Sequence, residues 1–484
     1  MLKTIQIRIF TFSLLVLFTA NAYSSLKGTR PNIVLIMPDD ISYGAISAYG
    51  GTASPHVDQL YHLGFRFEDF HVSPTCSPTR AAMLTGRHEC YGGVTHTINM
   101  RDRLNPELRT IADMLKDAGY ATGIFGKWHL GDSEAFRPDQ RGFDEVYIHG
   151  AGGIGQNYPH SADYPNNDYN NPTLYHNGKS IKTKGYCTDL FFDRGIEWIK
   201  EQQKAENPFF CYLPLNVNHG PFIPPLLPDG SHAPKSEIMK NLDDNVGKMT
   251  AFLESSGLLE NTLYIYVMDN GAKSGDKKLK GSKGSAYEGG TRVPCILYWK
   301  GKIDGGVDCH ELVGHIDFYA TFAELVGSED SAPGKKDWDG RSLLPLLENP
   351  QTDWPERYWV SHKTRWKNKE SGKYAMGAIR DSRWKIVFPK GPEPELYDLD
   401  TDLQEKHNIA EQHPDVVERL KAQYEAWWTD IQPYLVNDDL PNIPQAHKPY
   451  HELYRRDFGE EAFLAAMTAM DWDGGKPFGK KKKK

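Results

Sequence analysis

A small set of residues in this chain could do chemistry together. Asp39 and Asp40, with Asp269 and Asn270 far downstream, offer side-chain oxygen and include neither His nor Cys. That donor set suits a hard cation such as Ca²⁺ or Mg²⁺ and suits zinc poorly. Lys127 and His129 lie in "GKWHLG", His219 in "NVNHGPF" and Lys283 in the Gly-rich "GSKGSAYEGGTRVP". Two Lys, two His and an Arg beside a divalent cation would form a positive pocket for a tetrahedral oxyanion, sulfate or phosphate. Cys76 stands between Pro74 and Pro78, with Arg80 four residues on. Pro78 suits the first turn of a helix. Cys76 is thus expected at a helix N-terminus, where negative charge is favoured and a thiol is acidified. Each feature also has an ordinary structural use. "DD" is a common N-cap cluster, "DNG" a turn signal, and a buried Cys is commonplace. A shared location is what would turn them into a site.

The elements that must supply that location read as alternating strands and helices. "NIVLIMPDD" is a short apolar run ending in Asp39 and Asp40, the pattern of a buried parallel strand. "TASPHVDQLYHLG" predicts a helix with Ser54 as N-cap, Pro55 at its first position and Gly64 at its end. "LRTIADMLKDAGYATGIFGKWHLG" reads as a helix closed by Gly119 and then a strand. "YCTDLFFDRGIEWIKEQ" and "MKNLDDNVGKMTAFLESSG" read as helices, "PFFCYLPLN" and "TLYIYVMDNG" as strands. The fold class this predicts is α/β, a large mixed, mostly parallel sheet sandwiched by helices. In such sheets ligands sit beyond the carboxyl ends of the strands, where the polar residues above are placed. In an extended segment Lys127 and His129 would share a face, with Trp128 turned away. After residue 350 the pattern changes. "GAIRDSRWKIVF" and "PELYDLDTD" predict antiparallel strands under the helix "HPDVVERLKAQYEAWWTDI", a smaller α+β unit.

The whole chain bounds the reading. Its 484 residues include 39% hydrophobic and 25% charged residues, as expected of a folded soluble protein. A net charge of −8 gives no support to a nucleic-acid binder. Lys3 and Arg8, an apolar run over 9–18 and Ala20-Asn21-Ala22 match a secretory signal with a small-residue cleavage site. Removing residues 1–22 would take the net charge from −8 to −10. The expectation is export, to a periplasm or the medium, without stable membrane insertion. We divide the rest into a catalytic α/β domain over 28–351, an α+β subdomain over 352–434, and a C-terminal extension over 435–484. The extension ends in a lysine run, Lys480 to Lys484, expected to be solvated. Cysteines stand at 76, 90, 187, 211, 295 and 309, and no pair has zinc-finger spacing.

"CSPTR" followed by "AAMLTGR" resembles the signature of the type I, formylglycine-dependent sulfatases of the alkaline phosphatase superfamily. Cysteine-based phosphatases, a rival, set five residues between Cys and Arg; three stand here. The resemblance runs from about residue 31 to about 431 and takes in "GKWHLG", the His219 segment, "DNG", "KGSAYEGGTRVP" and "ELYDLDTDLQEKHNIA". It implies that a formylglycine-generating or anaerobic sulfatase-maturating enzyme converts Cys76 to formylglycine during biogenesis. It further implies one Ca²⁺ held by Asp39, Asp40, residue 76, Asp269 and Asn270. Arg80 would stabilise the aldehyde hydrate, and Lys127, His129, His219 and Lys283 would surround the sulfate. His219 is expected to protonate the leaving alcohol, and His129 to take the proton that releases sulfate and restores the aldehyde. Two details depart from the common pattern: the "NHGPF" spacer, and the lysine-rich "AKSGDKKLKGSKG" after Asn270. The implied substrate is a sulfated carbohydrate, with algal polysaccharide fragments placed ahead of glycosaminoglycans. A phosphomonoester or phosphonate hydrolase of the same superfamily, and a noncatalytic sulfated-glycan binder, stay open beside it.

Overall fold

The computed structural model describes residues 25–156, 163–328, 338–439 and 448–470. The signal-like segment 1–22 and the lysine run lie outside them. Eleven strands come first in the chain: β1 (Asn32–Met37), β2 (Phe65–Phe67), β3 (Phe70–His71), β4 (Ala121–Lys127), β5 (Glu145–His149), β6 (Thr173–His176), β7 (Lys179–Lys182), β8 (Phe209–Pro214), β9 (Thr262–Val267), β10 (Cys295–Tyr298) and β11 (Val307–Cys309). Ten of them form one sheet in the order β11-β2-β10-β9-β1-β8-β4-β5-β6-β7. The centre, β9-β1-β8-β4-β5, is parallel, and antiparallel neighbours flank it on both sides. β3 pairs instead with β12 (Val313–Gly314).

Both faces of the sheet are covered, which is why its central strands are apolar throughout. Along β8, Phe209, Cys211 and Leu213 face α4 (Cys187–Lys204): Phe209 meets Trp198, and Cys211 and Leu213 lie 3.6 Å from the point where a Cβ on Gly195 would sit. Phe210, between them, turns to Phe322 on the other face. On the α4 side lie α1 (Pro55–Leu63) and α5 (Ser236–Ser255); on the other, α2 (Cys76–Thr85), α3 (Ile111–Asp117) and α7 (Asp317–Leu325). The short α6 (Glu288–Thr291) precedes β10. Gly86 ends α2 at φ 69°, the left-handed cap that glycine adopts without strain. Ser54 stands at the N-cap of α1 as expected, but its hydroxyl makes no cap bond; Asp243 accepts from His56 N and Val57 N instead.

After α8 (Leu344–Glu348), the strands β13 (Trp359–His362), β14 (Gly377–Arg380), β15 (Trp384–Phe388) and β16 (Glu395–Asp398) form an antiparallel meander. The short α9 (Lys369–Gly372) lies between β13 and β14, and α10 (Pro414–Ile431) covers one face of β14 and β15. Period-two alternation explains the packing. Ile379, Ile386 and Leu396 meet Leu420 and Tyr424 of α10. Ala378, Val387 and Tyr397 face Ala286 and Tyr287 of the large unit.

A buried charge seam crosses the same junction. Arg380 binds Asp69 through Nη1 at 2.9 Å and Nη2 at 2.8 Å, and Lys385 binds Glu288 at 2.7 Å. Burial works to raise the Asp69 pKa, but Arg292 and Arg380 outweigh it and hold the carboxyl below its usual range. Removing one partner strands a buried charge, so Arg380→Met should cost about 3–5 kcal/mol. Denaturant unfolding of the variant checks this; a cost below about 1 kcal/mol would show a hydrated seam.

The extension is more structured than its Pro- and Asn-containing sequence suggests. α11 (Pro449–Phe458) and α12 (Glu460–Ala469) form a helical hairpin. Tyr450, Leu453 and Tyr454 lie on one buried stripe, and Tyr450 packs on Tyr164 and on Tyr175 of β6. All six cysteines are free and buried.

Candidate active site

The parallel centre of the sheet delivers the predicted residues to one edge. Asp39 and Asp40 follow β1, Asp269 and Asn270 follow β9, Lys127 ends β4, and His219 stands five residues past β8. α2 brings Cys76 to the same place as its first residue. Lys283 arrives on the loop before α6, with its backbone N–H on the Ala272 carbonyl.

Charges interleave there. Lys127 Nζ donates to Asp39, and Lys283 Nζ to Asp40 Oδ1. Arg80 donates to Asp269 Oδ2 from Nη2 (2.9 Å) and Nε (3.3 Å), and its Nη2 lies 3.7 Å from Asp39. Its remaining bonds go to the Lys127 and Leu215 carbonyls, each at 3.2 Å. Burial pushes the Asp269 carboxyl up, and neighbouring Asp39 adds to that. For Asp39 burial is outweighed by Lys127, His219, Lys283 and Arg80, which hold it well below the carboxylate range. The Cys76 thiol is lowered too: burial opposes ionisation, but Lys127 and Lys283 prevail.

Ligand atoms of Asp39, Cys76 and Asp269 lie within 4.8 Å of one another. Asp39 Oδ1 and Asn270 Oδ1 are buried without a hydrogen-bond partner. Two orphaned buried oxygens beside two further carboxylates fit a hard cation, since an unpaired buried acceptor is otherwise costly. Asn270 Nδ2 donates to Asp40 Oδ1 at 2.8 Å, which turns its own oxygen away from Asp40.

The two histidines have defined tautomers. His129 Nε2 donates to the Thr97 carbonyl at 2.7 Å, so Nδ1, 3.5 Å from Cys76 Sγ, carries the lone pair. His219 Nδ1 donates to the Gly220 carbonyl at 2.7 Å, and Nε2 points to Asp40 Oδ2, 3.9 Å away. Burial, reinforced by Lys283, lowers His219 to about 4. Lys127 and His129 do share the pocket and Trp128 does turn away, with its indole N–H on the Phe136 carbonyl. The cause is not strand alternation: β4 stops at Lys127, and His129 has φ 61°. A glycine pair lies over both rings. A Cβ on Gly152 would come within 2.8 Å of His129, and one on Gly153 within 2.9 Å of His219.

Three further residues border or brace the site without a side-chain motif that announces them. His149 ends β5 in register with Lys127, wholly buried, with neither ring nitrogen bonded. Its position at a strand end was the available signal. Thr97 acts through its carbonyl, which no side-chain pattern reveals. Asp438, from the extension, accepts from Arg101 Nε at 2.8 Å and from Thr95, and so ties down the loop that carries Thr97.

Comparison with known proteins agrees with this arrangement. The family model "Sulfatase" matches residues 31–328, and the model "N-sulphoglucosamine sulphohydrolase, C-terminal" matches 282–429. The chain is 30% identical over 382 residues to the N-acetylgalactosamine-6-sulfatase of Canis lupus familiaris, covering 72% of each protein. It is 28% identical over 458 residues to arylsulfatase G of Rattus norvegicus, covering 81% of this chain and 85% of that one. The crystal structure of Ps i-CgsB in complex with k-i-k-neocarrahexaose superposes with a TM-score of 0.73 at 27% identity, covering 90% of this chain and 99% of the other. With the Cys-x-Pro-x-Arg helix start and the acidic strand ends gathered at one sheet edge, the chain belongs to the sulfatase family and is a sulfuric ester hydrolase.

Proposed function

We propose that this protein cleaves sulfate esters on a sulfated carbohydrate, with residue 76 matured to formylglycine and one Ca²⁺ bound. Asp39, Asp40, residue 76, Asp269 and Asn270 would hold the ion. The observation that carries this is the convergence of Asp39, Cys76 and Asp269 within 4.8 Å, ringed by Lys127, Lys283 and Arg80. Three cations balance three carboxylates, so a divalent ion would leave the excess positive charge that a sulfate ester needs. When bound, the ion and the hydrated aldehyde supply a Lewis acid and an activated hydroxyl nucleophile. The carbohydrate assignment is supported by the relatives: one is an N-acetylgalactosamine-6-sulfatase, and another was crystallised with a neocarrahexaose. The latter favours oligosaccharides from algal polysaccharide. Residues 1–22 support export to a periplasm or the medium, where the matured enzyme would meet such chains.

The chain's own residues have distinct tasks in this reading. Lys127 and Lys283 meet the charge on the sulfuryl oxygens. His129 Nδ1 takes a proton at residue 76, because Thr97 holds the ring in the tautomer that leaves this nitrogen free. The Gly220 carbonyl holds the Nδ1 proton of His219, so Nε2 is the nitrogen that faces the leaving alcohol. The ring acts as acid there only as the imidazolium, a form that a bound sulfate ester's negative charge favours against burial and Lys283. Release of p-nitrophenol from p-nitrophenyl sulfate but not from p-nitrophenyl phosphate tests the reaction; faster release from the phosphate ester would make the protein a phosphomonoester hydrolase. A panel of sulfated oligosaccharides tests the substrate class.

The His219 role has its own signature. General acid help gives roughly 10²–10⁴-fold, and a sugar alkoxide requires it far more than a nitrophenolate does. His219→Ala should therefore depress kcat/KM on a sugar sulfate by at least ten times more than on the aryl sulfate, a threshold of about 1.4 kcal/mol. His129→Ala should not discriminate between the two substrates, because its proposed step releases sulfate after the alcohol has gone. Equal losses for His219→Ala would reduce that residue to a sulfate contact and make Lys283 the next candidate acid.

A further inference from the structure

Beyond β13 the chain returns over the loops that carry the site. Lys363 Cε passes 3.7 Å from the point where a Cβ on Gly284 would lie, one residue from Lys283. Two residues later, Arg365 Nη2 donates to Thr97 Oγ1 at 2.7 Å, on the residue whose carbonyl holds His129. Both basic side chains open into a groove of about 440 Å³ that runs between β13 and the turn joining β15 to β16. Lys390 lines its far side, and Tyr374 and Met376 also contribute to its wall.

The charge in this groove is one-sided. Lys373, also in the lining, is matched by Glu425 at 3.5 Å. Lys363, Arg365 and Lys390 have no carboxylate partner among the described residues, and Glu370 is the one acid in the lining. Arg365 Nε is buried and makes no hydrogen bond, a donor left over in a wall shared with the site. The field reaches inward: burial first, then Arg365, Arg101, His129 and Lys363, lowers His96 to about 3. Cations gathered without counter-charge repel one another, and an anion between them relieves that repulsion. An aromatic ring beside the cations is a common surface for a sugar ring, whose C–H face is apolar.

We propose that this groove binds a second anionic substituent, a sulfate ester or a carboxylate, on a sugar neighbouring the one whose ester is cleaved. The enzyme would then select a polyanionic chain over an isolated sulfated sugar. This rests on the carbohydrate-sulfatase reading above, and the groove would account for selectivity that the sulfate centre cannot supply, since the latter sees only the ester being cleaved. An approaching polyanion meets Lys390 at the exposed rim and Lys363 and Arg365 nearer the centre, so the groove also sets the direction of the chain.

Two arms test the proposal on the full-length matured enzyme, wild type and Lys363→Gln/Lys390→Gln. The turnover arm measures kcat/KM for a disaccharide sulfated on both rings, for the same disaccharide sulfated on one ring, and for a singly sulfated disaccharide whose second sugar is a uronate. Wild type should prefer either doubly charged substrate, and the variant should lose that preference by roughly tenfold or more, the scale of one charge-assisted hydrogen bond. The loss should sit mainly in KM, and raising the salt should erode the wild-type preference. Loss with the disulfated substrate alone assigns the groove to sulfate; loss with the uronate alone assigns it to carboxylate. The binding arm measures calorimetric affinity for the disulfated disaccharide in both proteins. It reads the groove even if turnover fails, so a failed sulfatase reading and a failed groove are told apart. Equal preference in wild type and variant, with equal affinities that ignore salt, would overturn the proposal.

Discussion

Replacing Cys76 with alanine is expected to lower kcat/KM on every sulfate ester by roughly 10⁵-fold or more, the scale on which enzymes lose activity when their nucleophile is removed. The replacement should leave folding intact, because Cys76 begins α2 with its side chain turned into the site. Burial of one small side chain contributes only about 1–2 kcal/mol at such a position. The more telling variant is Cys76→Ser. Serine keeps one hydroxyl at the same point, beside His129 Nδ1 and Lys283, so it can still attack. It lacks the second hydroxyl of a hydrated aldehyde, so it cannot expel sulfate and should be trapped as an ester after one turnover. Peptide mass spectrometry reads both results. Active protein should show the 76-containing peptide at the mass of an aldehyde or its hydrate, and the serine variant should gain the mass of a sulfuryl group. Full activity from protein carrying only a free thiol at 76 would sink the proposal.

Asp39→Ala and Asp269→Ala should each abolish Ca²⁺ binding and turnover together. Each removes an anionic ligand from a site with few others, and hard-cation sites tune affinity chiefly through ligand charge. The two losses differ in their side effects. Asp39 is buried with Lys127 on one oxygen, and Asp269 receives two Arg80 donors. Removing either acid leaves a buried cation unpaired, at roughly 3–5 kcal/mol. Asp269→Asn keeps an oxygen and the shape, so it should restore part of the stability but not the ion. Calorimetry with Ca²⁺ reads affinity, and thermal unfolding with and without the ion reads the stability it contributes. Full activity after chelation, or unaltered Ca²⁺ affinity in Asp269→Ala, would refute the ligand set.

Much of this is legible in the amino-acid sequence. Apolar runs that end in Asp, Lys or His marked the carboxyl edge of a parallel sheet. Pro78 inside a helix start located Cys76, and Gly86 located the end of that helix. These are local rules, and each depends on residues within about one turn or one strand of the point it predicts. What escaped them was long-range. His129 reaches the pocket through a left-handed residue rather than strand alternation, because the chain must leave β4 and pass under Gly152. The extension reads as a tail, yet α11 buries Tyr450 against Tyr164 and Tyr175, almost three hundred residues earlier in the chain. Arg380 and Asp69 stand 311 residues apart in sequence and share a bidentate bond.

By itself, the sequence determined the chemistry that is available. Residue types set the hard-cation donors, the Cys-x-Pro-x-Arg start of a helix at Cys76 and the basic residues that suit a sulfuryl group, because ligand preference and helix capping depend on side-chain identity and short spacing. Only the tertiary structure decided which nitrogen of His129 faces residue 76, which oxygens of Asp39 and Asn270 are left over, and that Lys363 and Arg365 border the site. Those outcomes depend on which carbonyl, glycine or strand end packs nearby. Packing is set by burial of the whole sheet and its two helix layers, a property of all the central strands at once and of no single segment.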